Sequence, residues 1–273
     1  MNIDEAFTYA KTNYDIEITK IKILLNHITG FNNAQLLIHN DYILNDTQVN
    51  LYKEALEKLN QGYPIQYITH KQDFFGMTFY VDESVLIPQP DTEISIEKAL
   101  ELIYSIENNN PKVLDLCTGS GAIGISIAKN SNAKVWASDI SEAAINIAKE
   151  NANYNVANIN FILSNMFENI HEKDFDIIIS NPPYIETNTI NTLDKEVQNE
   201  PHLALDGGQD GLDFYRIIAN QANSFLKDDG ILILEIGYNQ KDSVINLLED
   251  NFKNIKSYKD YAGNDRVIIA YKK

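Results

Sequence analysis

From residue 112 onward, short apolar runs alternate with amphipathic stretches. Lys112–Leu116, Lys134–Ser138, Ile159–Leu163, Phe175–Ile179, Ile231–Leu234 and Arg266–Ala270 are rich in Val, Ile and Leu, the pattern of strands covered on both faces. Helical stretches such as Ala122–Ala128 and Ser141–Asn151 fall between some of them. Strands alternating with helices build a mostly parallel sheet with helices on both faces. In such sheets a ligand lies beyond the carboxyl ends of the strands, so the residues just after each strand carry the candidate chemistry.

The first 70 or so residues have no comparable strand runs. Apolar residues recur at helical spacing at Ile18, Ile21, Leu24, Leu25 and Ile28, ended by Gly30, and again at Val49, Ala55, Leu56 and Leu59, with Asp46 as cap and Gly62 as stop. This predicts a small helical bundle whose apolar stripes are core. Between Asp73 and Asp82, aromatic and polar residues alternate around Gly76-Met77, which predicts a short two-stranded hairpin. Pro88 and Pro90 stiffen the chain beyond it. The predicted division is a helical domain at 1–70, a β-hairpin linker at 71–90 and an α/β domain at 91–273.

Two strand ends stand out chemically. Phe175–Ile179 runs into Ser180 and then Asn181-Pro182-Pro183-Tyr184. The prolines lack an N–H, so the turn offers carbonyl oxygens without competing backbone donors, and Asn181 adds a side-chain carbonyl. A planar NH2 group can donate to Asn181 and to the Pro182 carbonyl while Tyr184 packs on its flat face. A glutamine amide and an adenine amine both satisfy that clamp. The plain alternative is a proline-rich turn that merely ends a strand.

The other is Cys117-Thr118-Gly119-Ser120-Gly121, a glycine loop between Leu116 and the helix that opens at Ala122. Its glycines let backbone approach a ligand, and the helix N-terminus directs N–H groups at it. The next strand ends in Asp139, about 20 residues further on, the spacing at which an acid reads ribose hydroxyls. A nicotinamide dehydrogenase shares these features, but hydride transfer has no use for an amine clamp.

Composition narrows the partner. With 22 basic and 39 acidic residues the net charge is −17, which disfavours a nucleic-acid polymer and suits a basic protein. A single cysteine excludes an intrachain disulfide framework and is compatible with a reducing cytosol. No apolar run approaches membrane-span length, and the amino terminus lacks a secretion signal, so a cytoplasmic, membrane-free protein is expected. Five scattered histidines, His27, His39, His70, His171 and His202, show no ligand spacing, and no metal is expected.

Together these residues resemble a class I S-adenosylmethionine-dependent methyltransferase, and more narrowly the release-factor glutamine methyltransferases of the HemK/PrmC type. Further segments carry the resemblance: Phe74-Phe75-Gly76, Val85 to Glu93, Glu200-Pro201 with Ala204-Leu205, Gly207-Gly208 with Asp210-Gly211-Leu212, Glu235-Ile236-Gly237 with Gln240, and Asp260, Ala262-Gly263 and Arg266-Val267. It covers roughly residues 60 to 273, and the amino-terminal region is compatible with the family's helical domain. The resemblance implies a Rossmann-like methyltransferase domain with an antiparallel last strand, preceded by a substrate-docking helical domain. It implies S-adenosyl-L-methionine as cofactor, with S-adenosyl-L-homocysteine as product, and peptide chain release factors as protein substrate.

It further implies Cys117, Thr118, Gly119, Ser120, Gly121, Asp139, Asn165, Met166 and Asn181 as cofactor contacts. Asn181, Pro182, Pro183 and Tyr184 become the catalytic and substrate-binding residues. Three positions depart from the family pattern: Cys117 stands where many relatives have glycine, Gln89 where arginine is usual, and Asn165 where an aspartate often touches the adenine. The other readings are an N6-adenine methyltransferase on DNA or RNA and a catalytically idle cofactor-binding scaffold. Gly207-Gly208-Gln209 also spells the motif that relatives methylate in release factors; it reads as an ordinary flexible loop, with self-methylation as the alternative.

Overall fold

The computed structural model describes residues 1–107 and 109–273, which form two compact units, Met1–Lys71 with Leu193–Asn199, and Gln72–Thr192 with Glu200–Lys273.

The first unit is helical: α1 (Ile3–Asn13), α2 (Ile18–Thr29), α3 (Asn33–Ile38), α4 (Asp46–Asn60) and α5 (Ile65–Thr69). Capping boxes open α1, α3 and α4, pairing Asn2 with Glu5, Asn32 with Gln35, and Asn45 with Gln48. The cap of α4 is therefore Asn45 and not Asp46, because Asn45 Oδ1 accepts the Gln48 N–H at 2.9 Å. Asp46 instead supplies first-turn negative charge, where the helix dipole favours it. Gly30 ends α2 in the left-handed conformation at φ 75°, as its position predicts. Ile21, Leu24 and Leu25 meet Ile3, Ala6, Tyr52 and Leu56 in the core, where the Tyr52 hydroxyl donates to the Ala6 carbonyl at 2.9 Å. Ile18, the first residue of the predicted stripe, stays exposed.

Leu193–Asn199 lies within the stretch expected to belong to the α/β domain, yet it clusters with this helical unit. Glu196 pairs with Lys20, and Asn199 Nδ2 donates to the Gly62 carbonyl at 3.0 Å.

The second unit opens with the hairpin β1 (Gln72–Phe74) and β2 (Met77–Phe79). Phe75 and Gly76 both take positive φ, 49° and 72°, the mirror-image turn that suits a two-residue hairpin loop. Helix α6 (Glu93–Ser105) follows, then β3 (Lys112–Leu116), α7 (Ala122–Asn130), β4 (Lys134–Asp139), α8 (Glu142–Tyr154), β5 (Ile159–Leu163), β6 (Phe175–Ser180), β7 (Leu226–Glu235), β8 (Phe252–Lys259) and β9 (Asp265–Lys272). Seven strands form one sheet in the order β5-β4-β3-β6-β7-β9-β8. All neighbours from β5 to β7 are parallel, and β9 is antiparallel to both β7 and β8.

Alternation along the strands divides the core. Leu114, Leu116, Ile178, Leu232 and Leu234 face one layer, with Tyr215 and Ile218 from the helix Asp213–Gln221. Val113, Ile177, Ile179, Ile231 and Ile233 face the other, with Ile96 and Ala99 of α6 and Ile123 and Ile127 of α7. The chain runs outward from β3 through β4 to β5, then returns to place β6 on the other side of β3. That reversal leaves a crevice at the carboxyl ends of β3 and β6, where ligands bind in open α/β sheets.

Candidate active site

The loop after β3 turns at Cys117, Gly119 and Gly121, with φ of 62°, 53° and 83°. A Cβ on Gly121 would stand 2.9 Å from Ile125 Cδ1 and 3.1 Å from Ala148 Cβ, so the bare backbone is what lets the loop pack into α7 and α8. Beneath it the fully buried Asp115 accepts from the Thr118 hydroxyl at 2.5 Å and the Gly124 N–H at 2.9 Å. Burial pushes the Asp115 carboxyl up to about 7 against those two donors.

Asp139, at the end of β4, gathers two backbone donors. Its Oδ2 accepts from Gly119 N and its Oδ1 from Ser141 N, both at 2.9 Å, so the acid fixes the glycine loop as well as facing the crevice. Burial raises its pKa, while the N–H groups of Ser141, Gly119 and Ile140 pull it back down.

These elements enclose a cavity of about 390 Å3, walled largely by apolar groups including Leu86, Ile123, Ile140 and Phe214. Of the residues singled out from the sequence, Cys117, Thr118, Gly119, Ser120, Asp139, Asn165, Met166, Asn181 and Pro183 line it; Gly121, Pro182 and Tyr184 are not among its walls. Asn165 is exposed and its Nδ2 donates to Glu168 Oε1 at 3.0 Å. Met166 Sδ lies 3.8 Å from Cys117 Sγ. Burial and the nearby Asp139 charge push the Cys117 thiol well above its usual range, which leaves it un-ionised and unreactive.

Asn181 is half-buried at the end of β6, and its Nδ2 donates to the Thr92 hydroxyl at 3.3 Å. Tyr184 follows in the same turn and is half-buried. Its ring packs against the core cluster of the sheet, and its hydroxyl lies beside Arg266 and Glu235. Its backbone carbonyl accepts from Gln240 Nε2 at 2.9 Å.

The chain leaving this turn is braced by the Gly207-Gly208 segment. Ile185 N donates to Leu205 O at 2.9 Å and Gly207 N to Ile185 O at 2.8 Å. A Cβ on Gly207 would come within 2.7 Å of Tyr184 Cα, so glycine is demanded here by close approach to the Asn181–Tyr184 turn. Gly207→Ala is therefore expected to lower stability by about 1–3 kcal/mol and to impair turnover as well, read by thermal melting and an activity assay. Gln209, next in the chain, is exposed.

The stretch between the hairpin and α6 is tied down without an arginine at position 89. Asn151 brackets Tyr80, accepting from its N–H at 2.6 Å and donating to its carbonyl at 3.0 Å, and also donates to Ser120 O at 2.9 Å. The buried Glu200 accepts from Ile87 N at 2.9 Å. Gln89 itself donates to Ile87 O at 3.1 Å. The contacts of Asn151 and Glu200 join long-separated positions, and sequence spacing alone gives no sign of them.

Comparison with known proteins decides the family. Residues 6–69 match the PrmC N-terminal domain and residues 98–209 the methyltransferase small domain. A release factor glutamine methyltransferase from Clostridium acetobutylicum is 39% identical over 267 residues, covering 95% of this chain and 93% of that protein. The chain belongs to the release factor glutamine methyltransferase family. The fold agrees with more distant structures. A methyltransferase from Pyrococcus furiosus superposes with a TM-score of 0.56 at 19% identity, over 84% of this chain and 99% of that one. A Thermus thermophilus 16S rRNA N2 G1207 methyltransferase, solved with AdoMet and guanosine, gives 0.55 at 21% identity, over 74% of this chain and 50% of that one. In this member of the release factor glutamine methyltransferase family, the described residues contain no group of three or more His, Cys, Asp or Glu side chains that could hold a metal ion. No described helix is long and apolar enough to cross a membrane.

Proposed function

We propose that this protein transfers a methyl group from S-adenosylmethionine to the side-chain amide nitrogen (N5) of the glutamine in the Gly-Gly-Gln loop of peptide chain release factors. The observation that carries this reading is that Asn181, the glycine loop and Asp139 all line one cavity, in a chain of this family.

The cavity's donor and acceptor set suits the cofactor. Asp139 offers acceptor oxygens to ribose hydroxyls, Ile140 and the apolar walls accept a flat purine, and Asn165 borders the same wall. Ser138 also lines the cavity, and its buried Oγ has no hydrogen-bond partner among the described residues. Cys117, Thr118, Gly119 and Ser120 form the floor with Met166 beside them, and Gly121 shapes the turn from behind. Bound there, S-adenosylmethionine supplies an electrophilic methyl on a sulfonium that is already a good leaving group.

The remaining work belongs to the chain. Asn181 accepts a hydrogen bond from the substrate NH2, and the turn fixed by Pro182 and Pro183 adds a backbone carbonyl. An amide nitrogen is planar at rest and becomes tetrahedral as it attacks, so acceptors aimed at the tetrahedral N–H directions favour the transition state over the substrate. Tyr184 contributes from behind, by anchoring the turn in the core. Positioning of the nitrogen in line with the methyl accounts for the rest of the acceleration. The helical unit, with Leu37, Ile38 and Ile43 exposed, serves as the docking domain. Release factors work on ribosomes, which puts the reaction in the cytoplasm.

A methyl-tritium transfer assay that offers release factor and adenine-containing nucleic acid side by side tests the reading. Label is expected in release factor alone, and a release factor with alanine in place of the Gly-Gly-Gln glutamine should take up none. Label in nucleic acid, or in neither, would overturn it.

A further inference from the structure

Behind Asn181 lies a buried carboxyl group, that of Glu235. Glu235 ends β7, is 2% exposed, and its Oε2 has no hydrogen-bond partner among the described residues. The groups placed to hydrogen-bond its carboxylate are the Thr92 hydroxyl and the Asn181 amide. Arg266 of β9 faces it, itself ion-paired to Asp91 at 3.1 Å and Asp260 at 3.3 Å. Tyr184 adjoins the same cluster, and the Tyr215 hydroxyl donates to the backbone carbonyl of Glu235 at 2.8 Å.

We propose that Glu235 is a positioning residue which, with Thr92, decides which end of the Asn181 side-chain amide faces the substrate. The inference rests on the glutamine-methylating function proposed above. An ionised carboxylate only accepts hydrogen bonds. Beside it, the Thr92 hydroxyl spends its single proton on Glu235 and keeps its oxygen free to accept from Asn181 Nδ2, the 3.3 Å contact seen here. The amide is planar, so a committed NH2 end leaves Oδ1 as the end available to the cavity. That is the end a substrate NH2 requires.

A protonated Glu235 reverses the chain. The carboxylic acid then donates to Thr92 Oγ, Thr92 donates to Asn181 Oδ1, and the Asn181 NH2 turns toward the substrate NH2, donor against donor. Burial raises the Glu235 pKa to about 7, opposed by the Thr92 hydrogen bond and the Arg266 charge, while Asp91 adds to the rise. The working form is the charged one, so turnover is present above that pH and declines as pH falls through it.

The test is kcat and KM from about pH 5.5 to about pH 9 for the wild type, Glu235→Gln, Thr92→Val and Thr92→Ser, with cofactor affinity measured by calorimetry. At saturating cofactor the wild type should show a one-proton acid limb in kcat near pH 7 with the release-factor KM unmoved. Glu235→Gln, whose amide can donate, should lose at least about tenfold in kcat, and the acid limb should vanish. Thr92→Val should lose a similar factor, and Thr92→Ser, which restores the hydroxyl, should recover most of it. Carbon-13 NMR of glutamate-labelled protein should show one carboxyl titrating near pH 7, absent from Glu235→Gln, a readout independent of turnover. With an active wild type, an unchanged acid limb in Glu235→Gln, or full kcat in a folded Thr92→Val, overturns the inference alone. A wild type that labels no release factor overturns the functional reading, and this inference with it.

Discussion

Truncating Asn181 to alanine is expected to lower kcat about a hundredfold, the equivalent of roughly 3 kcal/mol, while leaving substrate KM close to wild type. The split follows from when the acceptor matters. A resting amide donates in its own plane and can satisfy that bond elsewhere, but a nitrogen turning tetrahedral needs the acceptor where its hydrogens are moving. Stability should change little. Asn181 is half-buried, and the bond from its Nδ2 to Thr92 is long at 3.3 Å. Steady-state kinetics on release factor, with a melting curve as control, measures both halves. A variant that keeps full turnover would show that Asn181 does not hold the reacting nitrogen.

The strands of the parallel sheet were legible because residues buried on both faces must be apolar throughout, which leaves runs such as Phe175–Ile179 in plain view. Strand β8 was not. Phe252-Lys253-Asn254-Ile255-Lys256-Ser257-Tyr258-Lys259 forms the sheet edge, where lysines guard against unwanted pairing and erase the apolar signature. Helix α1 was hidden for a related reason. It buries only Ile3, Ala6 and Ala10, two of them alanines that raise little hydrophobic signal. At the site, local motifs revealed the glycine loop, Asp139 and Asn181, since each follows a strand directly. Thr92 and Glu235 lie in segments that carry the family resemblance, but nothing in their spacing ties them to Asn181. They come from the start of α6 and the end of β7, and only the folded sheet brings them behind Asn181.

Asp139 sets up the other large effect, and its asparagine variant should move affinity and stability in different directions. Asp139→Ala removes the proposed ribose acceptor and leaves the N–H groups of Gly119 and Ser141 without their partner, so the glycine loop loses its anchor together with its ligand contact. Hydrogen bonds to a charged group are worth about 1.5–3 kcal/mol each, and cofactor affinity should fall about a hundredfold or more. Asp139→Asn separates the two roles. Its carbonyl can still accept one of the backbone donors, but its NH2 faces the other, and affinity should drop less far than in the alanine variant. The folded-state pKa of Asp139 is raised, chiefly by burial, so keeping it ionised opposes folding. That penalty is absent below the unfolded-state pKa and is imposed as pH rises through the raised one. Removal of the charge should therefore leave the Asp139→Asn melting temperature at neutral pH equal to or above wild type, even as calorimetry shows weaker cofactor binding. The same ionisation governs binding in the wild type: affinity should fall on the acid side at a pH above the usual aspartate range, and Asp139→Asn should abolish that dependence. A variant that binds S-adenosylmethionine as tightly as wild type would remove Asp139 from the cofactor site.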